Sequence, residues 1–258
     1  LPSAATRPLV PLAPLPPRIP ADRKPVLIMQ GYPAFDAPLF SYAFRGRASR
    51  VDETERTWVV PKEYGKYGVV VIVGSLARAK IEPAQYREGD VAEVRRFLHE
   101  GGTLILARGN VSIFGAGAGE EFLTELGLGG RLPGGKDAIK GMTVLEPGHP
   151  WVKHLASAAD RPWLAGDIGG PVPVKFARGD RIIGKPDGAT ILGRVKVGKG
   201  SLIYLGWEVA ASLPAGRKPG TAQDEANYEE QMQIITNIVA DLYPAGPGSP
   251  QTQGAGRD

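Results

Sequence analysis

No cysteine occurs anywhere in the 258 residues. A disulfide framework, a thiolate metal site and a cysteine nucleophile are therefore all excluded. Histidine is nearly as scarce, with only His99, His149 and His154 present. His149 and His154 have no third histidine or carboxylate at ligand spacing, so no metal site is expected. No apolar run approaches the roughly 20 residues of a membrane span. Also missing is a stripe of Lys and Arg interleaved with aromatics, the pattern of a nucleic-acid binder. The formal charge of +4 is unevenly placed: residues 1–50 carry Arg7, Arg18, Arg23, Lys24, Arg45, Arg47 and Arg50 against Asp22 and Asp36, a net +5, which leaves −1 for the rest. Neither nucleic acid nor a membrane span is expected.

Glycine and proline are abundant, at 35 and 24 residues, well above the roughly 12% that the two make up in an average chain. Eight of the prolines fall in the first 25 residues. Proline fixes φ and lacks an N–H donor, so residues 1–24 are expected to form an extended polyproline-II arm. Leu9, Val10, Leu12 and Leu15 lie between these prolines, which suits an arm packed on its own domain or on a neighbouring subunit; a flexible spacer is the alternative. Residues 244–258 (PAGPGSPQTQGAGRD) read as a Gly/Pro-rich disordered tail. The sequence begins at Leu1 and not at methionine, and together with the missing cysteine this points to an exported protein, periplasmic or extracellular, with the cytoplasm as the alternative. Residues 25–243 remain as one domain, and a hydrophobic content of 42% is enough for a buried core.

Within that body, residues 24–30 (KPVLIMQ) read as a buried strand, residues 38–44 as a short helix and residues 57–60 as a second strand. Residues 68–74 (GVVVIVG) are the clearest strand, because five consecutive β-branched residues pack well in a sheet and poorly on a helix. Val91, Val94, Phe97 and Leu98 have helical spacing in residues 90–100, and Gly101 and Gly102 stop that helix. A strand over 103–107, a Gly-rich turn over 108–119 and a helix over 120–126 follow. This alternation is the rhythm of a parallel α/β sheet. Beyond Gly127 come shorter β-like pieces at 142–145, 172–176 and 181–183. Residues 190–197 and 201–205 then pair through a Gly198-Lys199-Gly200 turn. Residues 221–243 form a helix with Thr221 and Asp224 as a capping box and Met232, Ile235, Ile238, Val239 and Leu242 as its apolar stripe.

Residues 67–110, with the turn Gly109-Asn110-Val111-Ser112-Ile113-Phe114-Gly115-Ala116-Gly117, resemble the class I glutamine amidotransferase-like superfamily, in particular its ThuA-like branch. Gly148-His149-Pro150-Trp151 is similar to the "HP" element of that branch, and residues 198–206 (GKGSLIYLG) to its "GKGRV" hairpin strand. The resemblance runs in order over about residues 25–242. It implies a flavodoxin-like three-layer α/β sandwich with a mainly parallel sheet and a β-hairpin addition in the C-terminal half. It also implies a non-catalytic branch, because the family's active members use a cysteine nucleophile at the strand-to-helix turn, assisted by a late histidine and glutamate. Cysteine-dependent glutaminase activity is thus excluded. Ser112 lies near that turn, and Gly206-Trp207-Glu208 stands where the partner histidine is expected.

Open parallel sheets bind ligands beyond the carboxyl ends of their strands. Those ends supply Tyr32, Ser75, Arg108, Asn110, Ser112, Trp207 and Glu208, a set suited to a sugar or small polar ligand. Ser112 as nucleophile and Glu208 as acid or base are the catalytic candidates, set against a capping role for Ser112 and an Arg108–Glu208 pair closing the sheet. Gly115, Gly117 and Gly119 match neither G-x-G-x-x-G nor a Walker motif, and no cofactor is implied. The expected role is binding or scaffolding as an accessory subunit, with a protein partner or a second copy engaged through the N-terminal arm. The alternative is a ThuA-like enzyme acting on sugars in the strand-end cleft.

Overall fold

A computed structural model describes residues 24–32, 36–76, 80–81, 85–108, 110–132, 140–155, 172–207 and 222–244. The proposed arm up to residue 23, the tail from residue 245, Thr221 and Glu208 lie outside these. Strand β1 (Val26–Gln30) pairs in parallel with β2 (Val51–Glu55) on one side and β3 (Val69–Val73) on the other. Between β1 and β2 lies helix α1 (Ala37–Phe44); α2 (Glu88–His99) connects β3 to β4 (Thr103–Ala107). Helix α3 (Ala118–Glu125) leads to β5 (Leu128–Arg131), followed by β6 (Thr143–Val144), β7 (Val174–Phe176), β8 (Asp180–Gly184), β9 (Ala189–Val197), β10 (Gly200–Leu205) and α4 (Ala222–Leu242). The strands join in one sheet along the path β2-β1-β3-β4-β10-β9-β7-β5, with β8 paired to β9 and β6 to β8. The parallel part, β2-β1-β3-β4-β10, has the flavodoxin-like strand order, with β10 in the fifth place.

Alternation along each central strand sends side chains to two cores. Val26 and Ile28 of β1, Val69, Val71 and Val73 of β3, and Ile203 and Leu205 of β10 face α1 and α4. Leu27, Met29, Val70, Ile72, Leu104, Leu106, Leu202 and Tyr204 face α2 and α3. Both faces are therefore dry, which is why these strands read as continuous apolar runs. The expected three-layer sandwich is present. The expected C-terminal hairpin, β9–β10, joins the sheet directly: β10 lies beside β4, with Ser201 paired to Thr103, while β9 turns antiparallel and carries β7 and β8 outward.

Two local readings differ from the structure. Residues 57–60 form no strand; the strand is β2, just upstream, with the polar sequence VDETE. It lies at the sheet's edge and pairs only with β1, so its polar side chains stay in water. Glu53 accepts from Ser41 Oγ (2.6 Å) and Gln30 Nε2 (2.9 Å), and Arg50 holds Asp52. Trp58 and Val59 pack instead as irregular chain against the α2 side. The other omission is β5, whose Leu-Gly-Gly-Arg sequence has no strand period.

Helix α4 seats Ile234, Ile235, Ile238 and Val239 on the sheet. It is tied to β9 and to the Trp151 loop by charged bonds: Asp241 Oδ2 accepts from Trp151 Nε1 and from Arg194 Nη1, both at 3.1 Å. Arg194 also reaches Asp180 (2.8 Å) and lies 5.1 Å over the Trp151 ring, whose edge meets His149 at 4.9 Å. Burial holds the His149 imidazole below its ordinary value of 6.5, and the Arg194 charge pushes the same way.

At the amino end of the sheet the chains cross closely. A β-carbon on Gly200 would overlap the carbonyl oxygens of Gly102 and Leu98, which are backbone and cannot yield. Gly200→Ala should therefore cost about 2–3 kcal/mol, read as a lower urea midpoint. The depressed His149 means that the unfolded chain binds its proton more readily. Stability should therefore fall as the pH drops through about 6.5, and His149→Gln should flatten that part of a urea-midpoint profile. An unchanged slope would show that His149 is not the group responsible.

Candidate functional site

The carboxyl ends of β2, β1, β3, β4 and β10 open on one rim of the sheet. Beyond β1 and β3 the two chains stop running in parallel and meet in a single antiparallel bridge: Tyr32 N donates to Ser75 O at 3.0 Å, and Ser75 N to Tyr32 O at 3.4 Å. Gly31 permits this crossing, since a β-carbon there would sit 2.5 Å from the Ser75 carbonyl carbon. Gly74 adopts φ +68°, open to glycine at little cost. The bridge carries the Tyr32 ring outward with 54% of its surface exposed. The Arg56 guanidinium, just past β2, lies 5.6 Å from the ring's centroid.

Asn110 opens a short 3-10 turn, Asn110–Phe114, and is buried. Its Nδ2 donates to the carbonyls of Ala107 (2.7 Å), Gly74 (2.7 Å) and Ile72 (3.1 Å). With two protons and three acceptors, one bond is shared. This side chain closes the ends of β3 and β4 and has no donor left for a ligand. Arg108, half-buried at φ +49°, donates its backbone N–H to Leu205 O and so fastens β4 to β10. Ser112 is exposed on the same turn, its carbonyl accepting from Gly115 N.

None of the histidines lies beside Ser112. His99 ends α2 against Gly198, at the opposite end of the strands. His149 meets Trp151 edge to face, and His154 Nε2 meets the Glu230 carbonyl at 2.9 Å, on the α4 side of the sheet, whereas the flanking Val111 and Ile113 pack on the α2 side. No group of three or more His, Asp or Glu side chains able to hold a metal occurs among the described residues.

Trp207 is fully buried, and its Nε1 donates to Gln231 Oε1 at 3.0 Å. Gln231, also fully buried, donates to Asn227 O at 3.0 Å. Asp36, with no exposed surface, lies close enough to Tyr228 that its charge, after burial, raises the Tyr228 phenol's pKa. Asp36, Asn227, Tyr228 and Gln231 were absent from the set read off the sequence. Asn227 and Gln231 continue the apolar stripe of α4 toward its start at four-residue spacing, and two amides in a core-facing stripe were the available signal. The structure thus brings Tyr32, Ser75, Arg108, Asn110 and Ser112 to one rim and buries Trp207 beneath it.

No family model matches the sequence, and no curated protein does. Among solved structures, a putative ThuA-like protein from Bacteroides uniformis is 12% identical over 91% of this chain and 94% of its own, with a TM-score of 0.52. A cytoplasmic protein from Salmonella typhimurium LT2 is 14% identical over 85% of this chain and 99% of its own, with a TM-score of 0.50. A β-galactosidase from Rahnella sp. R3 is matched over 92% of this chain but only 33% of its own, at 12% identity and a TM-score of 0.48, so the chain spans about a third of that enzyme. At these identities the likeness shows the fold, which is that of the ThuA-like protein.

Asn110→Ala should destabilise the protein by about 2–3 kcal/mol, because three buried carbonyls lose their common donor. Ser112→Ala, at an exposed hydroxyl, should change stability by less than about 0.5 kcal/mol. Paired urea titrations check both; equal effects would show that Asn110 does not tie the strands.

Proposed function

We propose that the chain is a non-catalytic member of the amidotransferase-like fold that serves as a binding or scaffolding accessory subunit. The observation that carries this reading is the state of the strand-end rim. The fold's nucleophile is missing from the sequence, Asn110 is occupied by three carbonyls, and Trp207 is sealed against Gln231. Ser112 has a hydroxyl in water with no histidine to take its proton, and an unassisted serine is a poor nucleophile. The polar groups at the rim fasten strand to strand, which favours a rigid face for contact over a site that must reorganise charge in a transition state.

A protein partner or a second copy of the chain would meet this body through the Pro-rich arm, whose leucines offer apolar surface. Export, as the missing cysteine suggests, would place that partner outside the cytoplasm. A sugar-modifying activity in the same cleft is the competing reading, favoured by the exposed Tyr32 but short of a placed acid and base among the described residues.

Affinity purification of the tagged chain from its native source should recover one partner in fixed stoichiometry, and removing residues 1–23 should release it. Glutamine should not be hydrolysed above the uncatalysed rate. Turnover of any saccharide that disappears in Ser112→Ala would overturn the proposal.

A further inference from the structure

The order of the parallel strands reverses between β1 and β3: from β1 the chain crosses to β2 on one side, and from β3 it crosses to β4 on the other. In open α/β sheets this switch point leaves a crevice where ligands bind. Here it is occupied by Tyr32 and Ser75, linked by their backbone bridge, with Arg56 beside them. We propose that this rim is a binding site for a carboxylated sugar, with the Tyr32 ring as the stacking platform and Arg56 as the carboxylate clamp. The inference rests on the reading of the protein as a binding module and names a ligand class for it.

Three observations converge on that chemistry. First, the platform is preorganised. The Gly31 crossing and the double bridge to Ser75 fix the Tyr32 backbone before any ligand arrives, so little ordering entropy remains to oppose binding. Second, Tyr32 is more than half exposed, whereas the other aromatics among the described residues, Tyr42 apart, are largely covered. An apolar ring face with a polar tip at a crevice suits a pyranose, which presents C–H groups on one face and hydroxyls at its edge.

Third, Arg56 is set beside the platform: its backbone N–H donates to Gln30 O at 3.0 Å, and its guanidinium lies over the Tyr32 ring. It is one of three non-glycine residues at positive φ among those described, at +53°, a conformation that costs a side-chain-bearing residue free energy. It pairs with Glu55 at 3.8 Å, with both side chains more than half exposed. Such a pair is weak and screened. A ligand carboxylate can displace Glu55 and take the planar guanidinium in two parallel hydrogen bonds, which a neutral sugar cannot do.

Isothermal titration of the full chain with D-glucuronate and with D-glucose tests the site. Glucuronate should bind more tightly than glucose. Tyr32→Ala should weaken glucuronate binding by at least about tenfold, whereas Tyr32→Phe should retain it. Arg56→Gln should remove the preference for glucuronate and leave glucose binding unchanged. Both side chains are exposed, so all three variants should keep the parent melting temperature, which confirms that they fold. Equal binding of the two sugars, no binding of glucuronate, or indifference to Tyr32→Ala would each overturn the inference. Those failures leave the accessory reading standing, because that reading is judged by recovery of a stoichiometric partner. Loss of the partner with glucuronate binding intact would overturn the accessory reading alone.

Discussion

A sheet covered on both faces has nowhere to put polarity except at its ends, and the rest of this molecule follows from that constraint. In β1, β3, β4 and β10 almost every side chain is apolar and buried. Backbone groups that leave the ladder at the strand ends must then find partners locally or reach water. Asn110 meets that need for three carbonyls, the Tyr32–Ser75 bridge satisfies two residues against each other, and Gln231 receives the indole of Trp207. What looks on the sequence like a row of ligand groups is in large part the means by which backbone groups at the sheet's end find partners.

The same constraint explains which parts of the structure were legible in the sequence. Strands buried on both faces write continuous β-branched runs, so β1, β3, β4, β9 and β10 were read nearly to their ends. The amphipathic helices α2 and α4 were legible from their spacing. Edge elements carry no such signature: β2 is polar because one flank is open, and β5 is half glycine. The strong apolar residues near the first of these, Trp58 and Val59, drew attention to irregular chain. Among site residues, those at strand termini could be named from the pattern, but whether a side chain faces a ligand or a neighbouring carbonyl depends on contacts made across the sheet. Asn110 bonds residues 36 and 38 positions away, and Trp207 bonds one 24 positions away. Asp36 and Gln231 escaped because burial of a polar group is decided by distant packing.

The missing cysteine acquires a structural meaning beside this geometry. The turn that follows β4, Asn110–Phe114, holds no thiol: its first residue is locked into the sheet, and Phe114 is buried against Tyr86 and Phe122. Its hydroxyl-bearing residue points to water, and no imidazole approaches. The turn therefore stabilises the end of the sheet.

The placement of β10 beside β4 also governs how the chain can be made. Ser201 must wait to pair with Thr103, so the apolar edge of β4 stays unsatisfied while the intervening residues are synthesised, on the order of ten seconds at ribosomal rates. An open, largely apolar strand edge is a template for pairing with the wrong chain. For that interval the chain is an aggregation template in a way that no contact of the finished fold records, and the burden of covering the edge falls on whatever meets it first.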